Sequence, residues 1–209
     1  MVESERGTAE ESTDQRLLRG AKSRRAVTAR AVDIASLDGL DGLSFGRLAE
    51  DLDLSKAGIQ TLFRTKERLQ LATVEAAREA FVDAVVHPAA TAPSGVPRIR
   101  ALVDRWLDYA EQPLFPGGCF WGANIPIFDS HPGPVRDALR QQRRVWIATL
   151  AKQFRNAVTA GELTDTDPET AAFQISALLY AVNLSLRLGD DDSVTLTRRI
   201  IDDLLDTAS

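Results

Sequence analysis

The sequence is poor in the residues that build covalent or metal-held scaffolds. It has one cysteine, Cys119, and two histidines in 209 residues. One cysteine forms no internal disulfide, which fits a reducing compartment and excludes a disulfide-dense secreted domain. His87 and His131 each precede a proline and have no metal-ligand spacing to Cys119 or to each other. No glycine-rich phosphate loop follows a strand pattern. Cys119 has no neighbouring base in the sequence and reads as a packed thiol, with a nucleophile or redox sensor as the alternative. Asp190-Asp191-Asp192 lacks the ordered ligand pattern of a calcium loop and reads as a solvated turn. These absences predict no metal, no cofactor and no enzyme. The 13 glycines and 9 prolines are too few for a collagen-like or low-complexity chain. The longest apolar stretch, 171–186, is interrupted by Gln174, Ser176, Asn183 and Ser185, so it reads as a buried helix rather than a membrane span. No hydrophobic segment follows Met1, and a cytoplasmic location is expected.

Charge is present, but unevenly distributed. The net charge is −5. Residues 1–15 carry five acids and one base, whereas residues 16–66 carry ten bases and six acids. A basic segment on an acidic body suggests that one end meets a polyanion, although a solvated helix surface has the same composition.

The periodicity is helical throughout, and no strand pattern stands out. Residues 1–16 lack a periodic apolar set and are expected to be a disordered acidic tail. Val27, Ala31, Ile34 and Ala35 predict a first helix over 17–38, ended by Gly39 and Gly42. Ser44 offers an N-cap for a short helix with Phe45, Leu48, Ala49 and Leu52 inward. Ser55 caps a third helix over about 55–62, and Thr65 a fourth running from Lys66 to about Val86, where Pro88 should stop it. After the Pro88–Pro97 loop, helices are expected over 98–111, 119–128 and 134–160. Asp167-Pro168-Glu169 is a helix start, with a cap, a proline at the first position and an acid in the first turn. That helix should reach Leu188, and a last one should cover 192–206.

Residues 44–63, SFGRLAEDLDLSKAGIQTLF, form two short capped helices around a four-residue break. This is the layout of a helix-turn-helix. A short second helix with small or polar residues at its start fits a major groove about 12 Å wide. The candidate double-stranded-DNA contacts are Ser44, Ser55, Lys56, Ala57, Gly58, Gln60, Thr61, Arg64 and Lys66. Gln60 suits a two-pronged contact with adenine, Thr61 a base edge or thymine methyl, and the cations suit phosphates.

Residues 24–81 resemble the DNA-binding domain of the tetracycline-repressor (TetR) family. The resemblance rests on Val27, Ala31 and Gly39, then Ser44-Phe45 and Leu48-Ala49. It continues through Ser55-Lys56-Ala57-Gly58-Ile59, Phe63 and Thr65-Lys66-Glu67-Arg68-Leu69. Three positions depart from the family pattern: Asp53 replaces a turn glycine, Gln60 a tyrosine and Leu62 a histidine. The resemblance implies an all-α chain. Its parts would be a helix-turn-helix domain over 17–66 and a helical effector-binding and dimerisation domain over 67–209.

Within that second unit the helix from Ala171 is apolar nearly all round and needs cover on more than one face. A second copy of the chain would supply it. The last helix, with Val194, Leu196, Ile200, Ile201, Leu204 and Leu205, can lie beside it. The family resemblance implies a homodimer through helices of about 168–188 and 192–206. The chain would then bind a palindromic operator as a repressor and be released by a small hydrophobic or amphipathic effector. The candidate effector contacts are Trp106, Tyr109, Phe115, Cys119, Phe120, Trp121, Asn124, Phe128, Trp146 and Phe154. Apolar walls with a few polar groups describe a small-molecule pocket, but the same residues also describe a plain core. The alternative function is a helical ligand-binding or structural dimer without DNA binding.

Overall fold

The computed structural model describes residues 3–190 and 192–206, with side chains from Leu18 onward. The chain is all-α, and the described residues form nine principal helices. They are α1 (Glu3–Asp38), α2 (Phe45–Leu52), α3 (Lys56–Phe63), α4 (Lys66–Phe81), α5 (Val96–Glu111), α6 (Phe120–Phe128), α7 (Pro134–Thr159), α8 (Pro168–Arg187) and α9 (Asp192–Asp206).

The capping residues act as their chemistry dictates. The side-chain oxygens of Ser44, Ser55, Thr65 and Asp167 accept from the backbone N–H three residues on, at 3.1, 3.0, 3.2 and 2.8 Å. Each satisfies one donor that a helix start leaves without a partner.

Three boundaries differ from expectation. Residues 1–2 of the acidic tail lie outside the described residues, as do its side chains. Its backbone is helical from Glu3 and continuous with α1. No proline interrupts the segment, and Glu, Ala, Arg and Gln are good helix formers, so a helix starting at 17 extends upstream. Pro88 does not stop the fourth helix. Val82–Val86 shift to π-helical pairing, with the His87 N–H donating to the Val82 carbonyl, and a further turn follows over His87–Ala89. Proline has no N–H to offer the Ala84 carbonyl, and the wider turn before it accommodates that loss. Finally, α5 starts at Val96, with Pro97 in a first turn that needs no donor from it. Of the acidic turn, Asp191 lies outside the described residues.

One continuous core runs through the chain. Val27, Ala31, Ile34 and Ala35 of α1 are buried, with Leu48 of α2 and Ile59 and Phe63 of α3. α4 packs on both α1 and α7, and α6 packs on α1, so the helix-turn-helix is built onto the larger bundle. The bundle centres on the long antiparallel pair α7–α8, with α5 across both and α9 against α8.

Candidate DNA interface and effector cavity

The helix-turn-helix is held by its inner face and leaves its outer face open. Ile59 and Phe63 are each 1% exposed, while Ser55, Lys56, Ala57, Gly58, Gln60 and Thr61 are all exposed. Arg24 of α1 fixes the end of α3: its guanidinium donates to the Leu62 carbonyl at 2.8 Å and lies 4.5 Å above the Phe63 ring. Arg30 pairs with Asp51 at 2.7 Å, and Arg47 with Asp38 at 2.5 Å. These surface pairs contribute little stability, but they hold α1 and α2 in register. They also occupy cations that the sequence counts toward a polyanion surface.

The turn is made by Asp53, which adopts the left-handed conformation at φ 51°, ψ 45°. Asp tolerates that region better than most residues, which is how the turn closes without the family's glycine. Arg64 ends α3 at φ 65° and remains exposed.

The candidate DNA contacts share this surface but differ in what their side chains already do. Lys56 and Gln60 have no side-chain partner among the described residues. The Ser44 and Ser55 oxygens accept cap bonds, which leaves their O–H groups available to donate outward. Gly58 has a local reason as well: a Cβ there would stand 2.9 Å from the Ser55 hydroxyl. The Thr61 hydroxyl donates back to the Ala57 carbonyl at 2.8 Å, leaving its methyl and an acceptor position. Lys66 is already engaged, donating to the Asp41 carbonyl at 2.6 Å beside the Gln70 amide, which donates to the Leu40 carbonyl. Sequence reasoning missed Arg68, exposed on the first turn of α4 and lining a groove with Arg24 and Arg64.

The bundle forms a cavity of about 360 Å³ that opens to solvent beside Val145 and Tyr180. Arg78 and Phe81 of α4 line it, with Val82 and Val86 of the π-helical stretch. Trp106 comes from α5, Cys119 from the approach to α6, and Trp121 and Ile125 from α6. α7 contributes Gln142, Arg143, Val145, Trp146 and Thr149, and α8 contributes Ser176, Ala177, Leu179 and Tyr180. The volume falls within the range of small-molecule sites, and the walls are apolar with a few polar groups. Phe81 is the hub of the aromatic wall, with Tyr109, Trp121 and Trp146 edge-on at 5.5, 5.1 and 5.4 Å between ring centres.

Four of the ten expected effector contacts line this cavity: Trp106, Cys119, Trp121 and Trp146. The other six do not. Tyr109 stands behind the wall, and its hydroxyl accepts from the Phe120 N–H at 3.2 Å. Phe115 and Phe120 pack edge-on with each other, with Tyr109 against Phe115. Phe154 is fully buried in the core. Phe128 lines a separate groove of about 330 Å³ with Arg136, Arg140 and Arg143.

Asn124 is a joint rather than a ligand contact. Fully buried, it accepts from the Leu40 N–H at 2.7 Å and donates to the Ala35 carbonyl at 3.0 Å and the Phe120 carbonyl at 2.8 Å. It ties α6 to the end of α1. Beside it, Gly117 lies so close to α1 that a Cβ would stand 1.8 Å from the Ser36 carbonyl oxygen.

Burial pushes the Cys119 thiol above its ordinary value of 9.0, which keeps it protonated and poorly nucleophilic. Burial raises the Tyr109 hydroxyl well above its ordinary value. Among the described residues no group of three or more His, Cys, Asp or Glu could hold a metal ion, and no helix is long and apolar enough to cross a membrane.

The family model described as a tetracyclin repressor-like C-terminal domain matches residues 95–201. The chain belongs to the tetracycline-repressor-like family. This match covers the bundle that holds the cavity, while the resemblance in residues 24–81 covers the other end. Solved structures share the TetR fold. A TetR transcriptional regulator from Chloroflexus aurantiacus is 24% identical, with a TM-score of 0.80 over 90% of this chain and 94% of that one. A TetR-family regulator from Cytophaga hutchinsonii is 18% identical, with a TM-score of 0.79 over 91% and 96%. AibR, solved in complex with isovaleryl coenzyme A and operator DNA, is 19% identical, with a TM-score of 0.61 over 77% and 85%. A comparison with curated proteins finds no match. Family membership makes this chain a transcription regulator of the TetR class.

Proposed function

We propose that this TetR-family regulator is a repressor. It binds a near-palindromic operator as a homodimer, through residues 44–66, and leaves it when an amphipathic small molecule fills the cavity. The observation that carries this reading is the outward face of α3. Lys56, Gln60 and Thr61 stand exposed on a short helix whose opposite side is clamped to α1. Such a helix presents its first turn to base edges while its neighbours meet phosphates.

The homodimer reading draws support from α8 and α9. Phe173, Tyr180, Leu184 and Leu188, with Leu196 and Ile200, are large apolar side chains left exposed on one copy. A stripe of this kind is suited to a second copy of itself. Two α3 helices spaced by about one helical turn of DNA would then read paired half-sites. The cavity supports the effector reading, and AibR was solved with both a small ligand and an operator. An effector acts only through a difference in affinity between two arrangements of the dimer, and such couplings are typically about 1–3 kcal/mol.

Selection of genomic fragments on purified protein tests the proposal, followed by anisotropy titrations on the enriched site. The enriched sequences should be inverted repeats. Lys56→Ala should weaken binding across sequences and reduce the salt slope by about one phosphate contact. Gln60→Ala should relax preference at one base position by about 1–3 kcal/mol. A monomer in solution, or no sequence preference at low salt, rejects the reading.

A further inference from the structure

Only two buried side-chain nitrogen or oxygen atoms among the described residues have no hydrogen-bond partner, Trp121 Nε1 and Arg136 Nε. Both are donors, and they line adjoining spaces. Trp121 lines the aromatic cavity, Arg136 lines the groove beside it, and Ile125 and Arg143 border both. A buried donor without a partner is costly, so both atoms mark places where an acceptor from outside the chain would be held.

The charges agree. The cavity carries Arg78 and Arg143 and no acid, and the groove carries Arg136, Arg140 and Arg143 against the single carboxylate of Asp129. Two of these four cations are already paired, Arg78 with Glu75 at 2.6 Å and Arg140 with Asp137 at 3.1 Å. Among the described residues Arg136 reaches only the Asp129 carbonyl at 3.5 Å, and Arg143 has no carboxylate partner and faces the Phe173 ring at 6.0 Å. Two guanidiniums without carboxylate partners therefore flank the seam between an aromatic chamber and an open groove.

We infer that this pair of spaces takes an amphipathic anion. Its aliphatic or aromatic body lies among Phe81, Trp106 and Trp146, and its carboxylate or phosphate head lies at the seam between Arg136 and Arg143, where it also accepts from the Trp121 indole N–H. The planar guanidinium fork suits either head group. A cationic ligand is disfavoured by the same charges. The inference rests on the effector reading and narrows it to a chemical class.

The chain's own fluorescence tests it, because all three of its tryptophans line the cavity. The full-length protein is titrated with octanoate, octyl phosphate, 1-octanol and octyltrimethylammonium, with operator affinity measured in parallel. At least one of the two anions should bind about tenfold or more tighter than 1-octanol, the scale of one hydrogen bond to a charged group. The tighter of the two identifies the head group, and the cation should not bind. Arg136→Gln combined with Arg143→Gln should abolish the preference while leaving 1-octanol affinity and thermal stability near wild type. Trp121→Phe should weaken the anion selectively. Equal binding of alcohol and acids, binding of the cation, no binding by any probe, or a preference that survives the double substitution overturns the inference. Anion binding without operator release keeps this inference and removes the effector reading. Release by 1-octanol alone does the reverse.

Discussion

Replacing Asn124 with alanine should loosen the joint between the two ends of the molecule. The side chain is fully buried, and its amide spans α6, the end of α1 and the turn after it. Alanine leaves the Leu40 N–H buried without its acceptor, which costs about 1–3 kcal/mol. The Ala35 carbonyl loses a donor, for about 0.5–1.5 kcal/mol more. The Phe120 carbonyl is four residues upstream and keeps its helical partner. Together these give a destabilisation of about 2–4 kcal/mol. For a chain of this size each kcal/mol shifts Tm by about 2–4 °C, so a fall of about 4–16 °C is expected. Thermal unfolding at fixed protein concentration measures it, since any self-association would make Tm concentration-dependent. Asn124→Asp keeps the acceptor for Leu40 but turns a carboxylate toward two carbonyls. Its deficit should shrink as pH falls and the carboxyl becomes a donor. The joint also bears on coupling: α6 lines the cavity with Trp121 and Ile125 and holds α1 with Asn124. In Asn124→Ala, ligand affinity should change little while ligand-driven operator release is blunted. A Tm within about 1 °C of wild type at unchanged cooperativity would refute the account of Asn124 as a load between units.

Further outcomes follow from the same geometry. Gly117→Ala should destabilise by about 3 kcal/mol in chemical denaturation, because the added methyl meets the Ser36 backbone and neither chain segment is a flexible side-chain tip. Asp53→Gly should be neutral or stabilising by up to about 1 kcal/mol, and Asp53→Val destabilising by about 1–2 kcal/mol, since the turn needs φ of 51°. Cys119 and Tyr109 have folded pKa values raised by burial, so the stability they contribute is complete below their unfolded values and is lost as pH rises through the folded ones. The unfolding midpoint should therefore fall as pH is raised beyond 9.0, the ordinary thiol value, and Cys119→Ala should flatten the start of that fall. Native Cys119 should also resist thiol reagents near neutral pH and react on unfolding.

The local features were legible in the sequence because their causes are local. A cap joins a side chain to an N–H three residues on, so Ser44, Ser55, Thr65 and Asp167 declare themselves by type and position. The buried face of α3 follows from Ile59 with Leu62 or Phe63, a choice the spacing leaves open and the structure makes for Phe63, and its open face is what remains. The π-helical stretch before Pro88 was not legible, because a proline announces a missing donor but not whether the helix stops or widens around it.

The aromatic residues show where sequence reasoning ends. Trp121 and Phe120 are adjacent and alike in composition, yet one lines the cavity and the other is sealed in the core. The difference lies in which face of α6 meets α7 and α8, a matter of packing between distant segments. Phe81, Leu179 and Tyr180 were invisible as cavity residues because a helical face toward a void has the same period as one toward a core. Asn124 looked like a ligand's polar partner, but its own partners lie 84 and 89 residues away, and only the tertiary structure brings them within reach. What the sequence alone determined was the presence of the helices, their capped starts and the exposed start of α3, because backbone satisfaction and apolar spacing are settled within a few residues. The packing of helices far apart in the chain decided the cavity, its unpaired donors and the joint that links it to the other end.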